Sequence, residues 1–597
     1  MAGPLAGPVA ICVDRPLLSL DRTFTYDLPA ELGAGLGSLV QVPFHGRSLR
    51  AWVLGPTDDV PSKVLAVRKL VSPTRWFDES GLELCRWVSG RYVAPLAAVL
   101  ARATPPRVAG EENGARLAEP RNVVAPPEVI GVLRDHRNGQ SLLRAVAEAR
   151  AGAWILRPVP ELEALAIVES AAACLASGRR ALVIVPESVP VPGTAKAIAE
   201  TFGDRAVLLL GGSKRARYRA WLDVQAGHYD VVVGTRPSVF APVPGLGLIV
   251  IARESHAALR EDRAPYYHAR DVALARGEIE QAVVVLSALA PSSEAAALSL
   301  PAVSPERRSW VPVEVVAPGP EGRAPRLVRA LRSASRAFVF SPLPGYGIAA
   351  ICRACGQPAA CGVCGGSLRS SEGVVRCVVC EAPGRCRACG AMDFGLRRGG
   401  EERVEEWAAR AAQVPVRRLG PGDAPRLPVE GEVLVGGPDD VREFGAGGLD
   451  LVAILDADLA ARRPGLTARE RAFTTWTEAV AWARPGGRAI VQSSHANDPA
   501  VQSLVQGDPA RFHRDERLRR AQAGFPVGSA VFRVAGGSGL EGELTALGPI
   551  TLLVSSAEGQ TICLLALDPG GVPAFGRAAR ELARRDVITR VEAEPHL

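Results

Sequence analysis

The sequence predicts an α/β protein built as a β-rich N-terminal unit, two successive sets of buried parallel strands and a small α+β tail, with a cysteine-rich insertion inside the second set. Three observations carry this. The runs ALVIVPE, AVLLLGG, YDVVVGTRPSVF, LGLIVIA and QAVVVLSALAP are short and rich in Val, Ile and Leu, as strands buried on both faces of a parallel sheet are. A second set, SRAFVFSPL, GEVLVGG, LDLVAILDADL and GRAIVQSS, is split by a block of Cys-x-x-Cys pairs after its first member. Near the start, FTYDL, SLVQVPF and SLRAWVLG alternate with Gly and Pro turn signals, the pattern of a compact barrel-like or sandwich module.

In chain order, residues 1–105 hold the β-rich unit and then an amphipathic helical stretch, ESGLELCRWVSGRYVAPLAAVLARATP. Residues 106–150 are a Pro-rich linker with a small helical region ending in SLLRAVAEAR. The first α/β lobe spans 151–300, with helices such as ELEALAIVESAAACLASG between its strands, and the second opens at 301–350 and resumes at 392–510. The cysteine module occupies 351–391 and a C-terminal domain 511–597. With 47% hydrophobic and 22% charged residues in 597, the chain has an ordinary soluble balance, and no apolar run reaches membrane-spanning length. A net charge of +7 permits nucleic-acid binding without requiring it. Lys63, Lys69, Lys196 and Lys214 are the only lysines, a bias toward arginine that reflects composition more than a binding function.

The module reads CRACGQPAACGVCGGSLRSSEGVVRCVVCEAPGRCRACG and places eight of the chain's 12 cysteines in the pairs Cys352/Cys355, Cys361/Cys364, Cys377/Cys380 and Cys386/Cys389. Each pair has the knuckle spacing that presents two thiolates to one tetrahedral Zn²⁺, and a closed structural site takes four, so eight thiolates make two zinc sites. Disulfides and an iron–sulfur cluster are the competing readings. Met1 to Ala10 lacks the basic start and apolar run of a signal peptide, and the evenly spaced pairs suit ribbon-type zinc better than a cluster. Spacing alone leaves open which pairs share an ion. The other four, Cys12, Cys85, Cys174 and Cys563, lie in apolar surroundings and read as small buried hydrophobes.

Over essentially its whole length the chain resembles the PriA (primosomal protein N′) family of replication restart helicases. The resemblance is carried by DRTFTYDLP, VPFHGRSL, ALVIVPES, VVVGTRPSVFAPVPGLGLIVI, PYYHARDVALARGE, the four cysteine pairs, and LVAILDADL, ARERAF and GRAIVQS. It implies two tandem RecA-like helicase lobes, an N-terminal domain that captures the 3′ end of a nascent strand, a winged-helix-like region over 106–150, and nested zinc pairing. Cys352, Cys355, Cys386 and Cys389 would close one site, and Cys361, Cys364, Cys377 and Cys380 the other. The 3′-end pocket would draw on Phe24, Gly46 and Lys63, although Thr25 stands where the family uses an aspartate.

Against that resemblance, the ATPase residues depart. A P-loop needs a Lys for β/γ-phosphate charge and a hydroxyl for Mg²⁺; the aligned loop is RPVPELEA, with Glu163 and Ala164 at those positions. Like charges ~4 Å apart repel by about 1 kcal/mol even in bulk water, so a carboxylate there opposes a triphosphate. The family's Asp-Glu-Glu-His aligns with Ala252, Arg253, Glu254 and Ser255. Its arginine-finger stretch aligns with EAVAWARP, where Trp482 and Pro485 replace arginines. The expectation is a pseudo-helicase without ATP turnover, cytoplasmic and nucleoid-associated, that binds forked and single-stranded DNA. Its expected protein partners are replication restart and primosome proteins, the replicative helicase or its loader, and single-stranded DNA-binding protein. An active helicase with nonstandard residues is the alternative, and a zinc scaffold without nucleic acid a third reading. Arg353, Arg369, Arg376, Arg385 and Arg387 give the module charge for DNA, although solvated surface arginines would look the same, and the basic amphipathic helix RFHRDERLRRAQAGFP reads as a solvated face in preference to one lying along a phosphate backbone.

Overall fold

A computed structural model describes residues 3–112, 121–306, 310–319, 323–342, 348–355, 361–363, 368–371, 374–377, 382–398, 401–419, 428–437, 440, 448–458, 465–547, 551–557 and 560–595. The N-terminal sheet has the order Leu65–Ala66, Phe24–Leu28, Gly7–Val13, Arg47–Pro56, Ser38–Phe44, Lys69–Arg75. Alternation sends Val9, Ile11, Val40, Val42, Ala51 and Val53 into one apolar cluster. Their neighbours Cys12, Leu39, Trp52 and Leu54 face the other way, into a core shared with the first α/β lobe and the C-terminal domain. Helix Glu79–Arg91, capped by Asp78 Oδ1 accepting from the Gly81 N–H at 2.8 Å, and helix Leu96–Ala103 fill that shared core.

The first α/β sheet has the order Ala206–Leu209, Val231–Gly234, Arg180–Ile184, Leu246–Ile251, Val283–Ser287, Gly152–Leu156, Ala302–Pro305, His136–Arg137, parallel except at the last pairing. Segment 106–150 thus adds an edge strand to this sheet and lays helix Gly139–Ala147 beside it, with Leu142 and Val146 in its core. The second sheet, Val313–Val316, Ala483–Gln492, Leu449–Ile454, Arg336–Phe340, Glu432–Gly436, Val416–Arg418, is parallel throughout. Phe338 and Phe340 pack on one of its faces and Val339 and Ala453 on the other, as strands covered on both sides require.

The C-terminal domain is a four-stranded antiparallel sheet backed by helix Val572–Arg584. It ties the chain's ends together: Arg580 pairs with Asp21 at 2.6 Å, and Arg590 donates to the Tyr266 hydroxyl at 3.1 Å. Cys12, Cys85, Cys174 and Cys563 are all buried, and burial pushes the thiols of the first three up to about 12, far from reactive thiolates. Among the described residues no helix is long and apolar enough to cross a membrane.

Candidate functional site

The sulfurs of Cys352, Cys355, Cys386 and Cys389 all lie within 4.8 Å of one another. Cys352 Sγ is 3.4 Å from Cys389 Sγ, and Cys355 Sγ is 3.7 Å from Cys386 Sγ. Four thiolates about 2.3 Å from a tetrahedral zinc stand about 3.8 Å apart, so the set fits the ion. The chain reaches this geometry by pairing strand Ile348–Cys352 with Phe394–Arg398 and turning at Gly390, whose φ of +75° favours glycine. Cys361 and Cys377 are buried together against Leu368, and a bridge between Cys361 and Cys386 joins this half to the first cluster. Cys364 and Cys380, the remaining ligands expected for the second zinc, lie outside the described residues.

The loop expected to hold phosphate leaves strand Gly152–Leu156, makes a 3₁₀ turn at Pro160–Leu162 and enters helix Glu163–Ala176. Pro158 and Pro160 offer no N–H to an anion. Glu163 opens the helix and accepts from the Ser287 hydroxyl at 2.5 Å; Ala164, beside it, has no side-chain donor or acceptor. A cavity of about 410 Å³ adjoins the loop, lined by Arg157, Pro158, Trp310, Phe473 and Asp508 among others.

At the end of strand Leu246–Ile251, separated from Gly152–Leu156 in the sheet by Val283–Ser287, Ala252 is buried in the sheet's core. Arg253 follows with φ +49° and reaches across to the second lobe, where Nη2 meets Glu478 Oε2 at 2.5 Å and Nε meets Oε1 at 3.3 Å. Its Nη1 lies 3.6 Å from Glu187. Burial opposes the charge, but Glu478, Glu187 and Glu163 outweigh it and hold the guanidinium firmly protonated. Glu254, the one acid left in this stretch, is fully buried and accepts from Arg270 at 2.9 Å, the Ser292 N–H at 2.9 Å and the Ser292 hydroxyl at 2.6 Å. Trp482, at an expected arginine-finger position, is 4% exposed and packs on Phe338 with ring centroids 4.6 Å apart.

A second cluster in the same seam had no sequence signal beyond scattered charges. Arg520 contacts Glu294 at 2.6 Å, Glu470 at 2.7 Å and Glu516 at 3.1 Å, and the Ser293 N–H donates to Glu470 at 3.0 Å. The helix Ala510–Gln522 buries Phe512, His513, Glu516 and Arg520 on one side and leaves Arg514 and Arg517 exposed on the other, so only part of it is the solvated basic face its composition suggests. The Tyr267–Asp271 string is likewise structural. Tyr267 is wholly buried edge-on to Phe240, the His268 N–H donates to the Tyr92 hydroxyl at 3.1 Å, and Arg270 pairs with Asp271 at 2.7 Å.

At one end of the N-terminal unit Phe24 is half-buried, edge-on to Phe44 at 5.1 Å and under the Arg22 guanidinium at 4.9 Å. Phe44 leads into the His45–Gly46 turn, where φ is +45° and +74°, the signature of a tight hairpin with both central residues left-handed. Tyr26 pairs with Leu65 in parallel, and the exposed Lys63 lies in the bend that leads into that short strand. Thr25 donates to the Asp59 carbonyl at 2.7 Å, which ties the Lys63 loop to this strand. Between this unit and the first lobe lies a cavity of about 540 Å³, lined in part by Arg50, Arg102, Arg217, Trp52, Trp76 and Trp221. Cations beside aromatic rings suit a nucleotide chain.

The family model for the PriA 3′ DNA-binding domain (3′BD) matches residues 10–105, the N-terminal sheet with its two helices. A protein of Mycobacterium tuberculosis (strain CDC 1551 / Oshkosh), named probable replication restart protein PriA, is 31% identical over 626 residues, covering 95% of this chain and 93% of its own. Replication restart protein PriA of Treponema pallidum (strain Nichols) is 26% identical over 553 residues, with 85% and 83% covered. That of Bacillus subtilis (strain 168) is 26% identical over 401 residues, with 59% and 49% covered. With a PriA domain in place at its N-terminus and a relative of that identity running through all of its units, the chain belongs to the PriA family of replication restart proteins.

Proposed function

We propose that the protein binds stalled or branched replication forks and promotes primosome assembly and replisome reloading without hydrolysing ATP. The observation that carries this is Arg253: where the resemblance expects the acid that positions the attacking water, a guanidinium stands fixed between Glu478 and Glu187. Glu163, Ala164, Ala252 and Trp482 support the same reading: Glu163 puts a carboxylate engaged with Ser287 where a cation for phosphate is expected, Ala164 offers no ligand, and Ala252 and Trp482 are core residues. The two parallel sheets support RecA-like lobes retained as a scaffold.

Binding falls to the N-terminal face of Phe24, Gly46 and Lys63, to the arginine- and tryptophan-lined cavity, and to the cysteine module. Two Zn²⁺ would hold that module's turns in place; Cys352, Cys355, Cys386 and Cys389 form the first site, and Cys361 and Cys377 the described half of the second. Zinc supplies folding free energy there and no reaction step. Restart and primosome proteins, the replicative helicase or its loader, and single-stranded DNA-binding protein are the proposed partners, met in the cytoplasm on the nucleoid.

Two measurements on the zinc-loaded full chain test the reading. Forked DNA binds more tightly than linear duplex at ~0.15 M salt, because several separate basic surfaces engage only a branched molecule together. Phosphate release from ATP stays at background with and without the fork; DNA-stimulated release means an active helicase with nonstandard residues. Glu163→Lys with Ala164→Thr does not restore turnover, because Ala252, Arg253 and Trp482 remain.

A further inference from the structure

The second lobe's helix Ala468–Val480 is held to the first lobe at both ends by charge. Near its C-terminus Glu478 takes both arms of Arg253. Near its N-terminus Glu470 accepts from the Ser293 N–H and from Arg520, which also holds Glu294 of the first lobe at 2.6 Å. The two carboxylates are about 12 Å apart along the helix axis, so these are separate clasps and not one contact counted twice. Their arginines and Glu470 are nearly dry, with Arg253, Glu470 and Arg520 7%, 6% and 2% exposed, while Glu478 and Glu294 keep an edge toward solvent.

Residue 253 stands where the family resemblance expects a carboxylate, and its guanidinium meets the Glu478 carboxylate, 225 positions away in the chain. Arg253 also holds a left-handed backbone that a non-glycine residue adopts only at a cost, and the bidentate contact lies at the far end of that side chain. Around it stand Glu163, Glu187 and Glu478, three carboxylates to one guanidinium, a field that repels a triphosphate.

We propose that this charge pairing is an interlobe latch: Arg253–Glu478, with Arg520–Glu294–Glu470 as its second clasp, holds the lobes in one closed arrangement without nucleotide. DNA then meets a fixed platform, and its affinity does not respond to ATP. That consequence rests on the reading above, while the latch itself is read from a distance and not from turnover.

The test uses the full, zinc-loaded chain with Glu200, exposed on helix Gly193–Phe202, and Arg410, exposed on helix Glu401–Ala412, each replaced by an azide-bearing residue for spin labelling. Azide chemistry spares the cysteine cluster. Pulsed dipolar spectroscopy should give one narrow distance, the same with and without ATP. Arg253→Ala with Arg520→Ala should broaden it or add a second population, and Arg253→Glu with Glu478→Arg should return a narrow distance if Arg520 is kept. Several distances in the unmodified chain, a distance that moves with ATP, or no change in the double variant overturns the latch. If the double variant fails to fold, Glu478→Gln is read by the same two outcomes. Phosphate release alongside a single fixed distance would sink the ATP-free reading and leave the latch standing.

Discussion

The cysteine module and the interlobe seam are both built from charged or ionisable groups converging from separate segments, and they differ in how the convergence is encoded. In the module, each half-site is a Cys-x-x-Cys turn, so local spacing specifies the chemistry and only the pairing of halves is long-range. In the seam, Arg253 finds Glu478 and Arg520 finds Glu294 across 225 and 226 positions, with no local pattern at either end. A motif survives as a motif when its chemistry is local; a site assembled from distant single residues can change its chemistry while every flanking strand stays recognisable.

The largest expected effect separates the two regions outright. Cys386→Ser should abolish binding of the first zinc and unfold the insertion, since a structural zinc contributes about 10 kcal/mol or more of local folding free energy. The lobes should survive, because their cores of Phe338, Trp476 and Leu434 on one side and Val339, Val433 and Leu451 on the other share no residue with the cluster. Zinc content together with limited proteolysis at 352–398 reads this. Collapse of the whole chain in step with zinc loss would erase the distinction.

Next come substitutions in the seam. Arg253→Ala should cost about 3–5 kcal/mol in denaturant unfolding by stranding the Glu478 carboxylate, whereas Arg253→Leu with Glu478→Leu should cost far less, because both members of the bidentate pair go together. Trp482→Arg, which restores the residue the resemblance expects, should destabilise by about 3 kcal/mol or more, because the position lies in the core under Phe338. Recovery of an arginine finger is thereby opposed by packing.

Much of the fold was legible because burial on both faces of a parallel strand leaves a run such as LVIV or VVVG that few other environments tolerate. The Cys-x-x-Cys pairs of the first cluster were legible from their local spacing, whereas their nesting, Cys352 and Cys355 with Cys386 and Cys389, followed from the family resemblance and not from spacing. What escaped was the seam. Glu470 and Glu294 look like ordinary helix acids in sequence, and helix 510–522 shows no apolar periodicity, so its arginines suggested a wet face. The buried partners of Arg520 come from elements that folding alone brings together. The His-Ala-Arg-Asp string was visible as a pattern, but its role as a bolt between Tyr92 and Glu254 needed the tertiary contacts.

A smaller effect is carried by pH. Burial, then Arg270, pushes His268 down to about 3 from an ordinary 6.5, and burial, then Arg517, takes His513 to about 4. A depressed folded value means the native state binds the proton less readily than the unfolded chain. The stability these histidines hold is therefore complete above about pH 6.5 and is lost as pH falls toward 3, on the order of 2–4 kcal/mol for His268. Glu470, raised to about 7 by burial and Glu294, acts the other way: its contribution is complete below 4.5 and is lost as pH rises through about 7. His268→Asn keeps an acceptor for the Arg270 N–H and should flatten the acid limb of the stability curve; an unchanged limb would assign acid sensitivity to other groups.

The smallest effects belong to the N-terminal face, which is neither a metal cage nor a salt-bridge seam. Phe24 is half-buried and packs with Phe44 against the edge of the N-terminal core, so Phe24→Ala should cost about 1–2 kcal/mol of stability while weakening single-stranded DNA by about 1–3 kcal/mol through lost stacking. Lys63→Ala should reduce the slope of log K against log salt by about 0.7–0.9, the release of one counterion, with little effect on which DNA is preferred. Gly46→Ala meets no atom within 4 Å, so its cost is the left-handed backbone alone, about 1 kcal/mol, felt as a displaced His45–Gly46 turn. If the three substitutions lower fork and duplex affinity equally, this end of the N-terminal sheet contributes general attraction. If Phe24→Ala and Gly46→Ala weaken only DNA with an exposed 3′ end, selectivity has survived Thr25, whose hydroxyl is engaged with the Asp59 carbonyl, and the face itself reads the strand terminus.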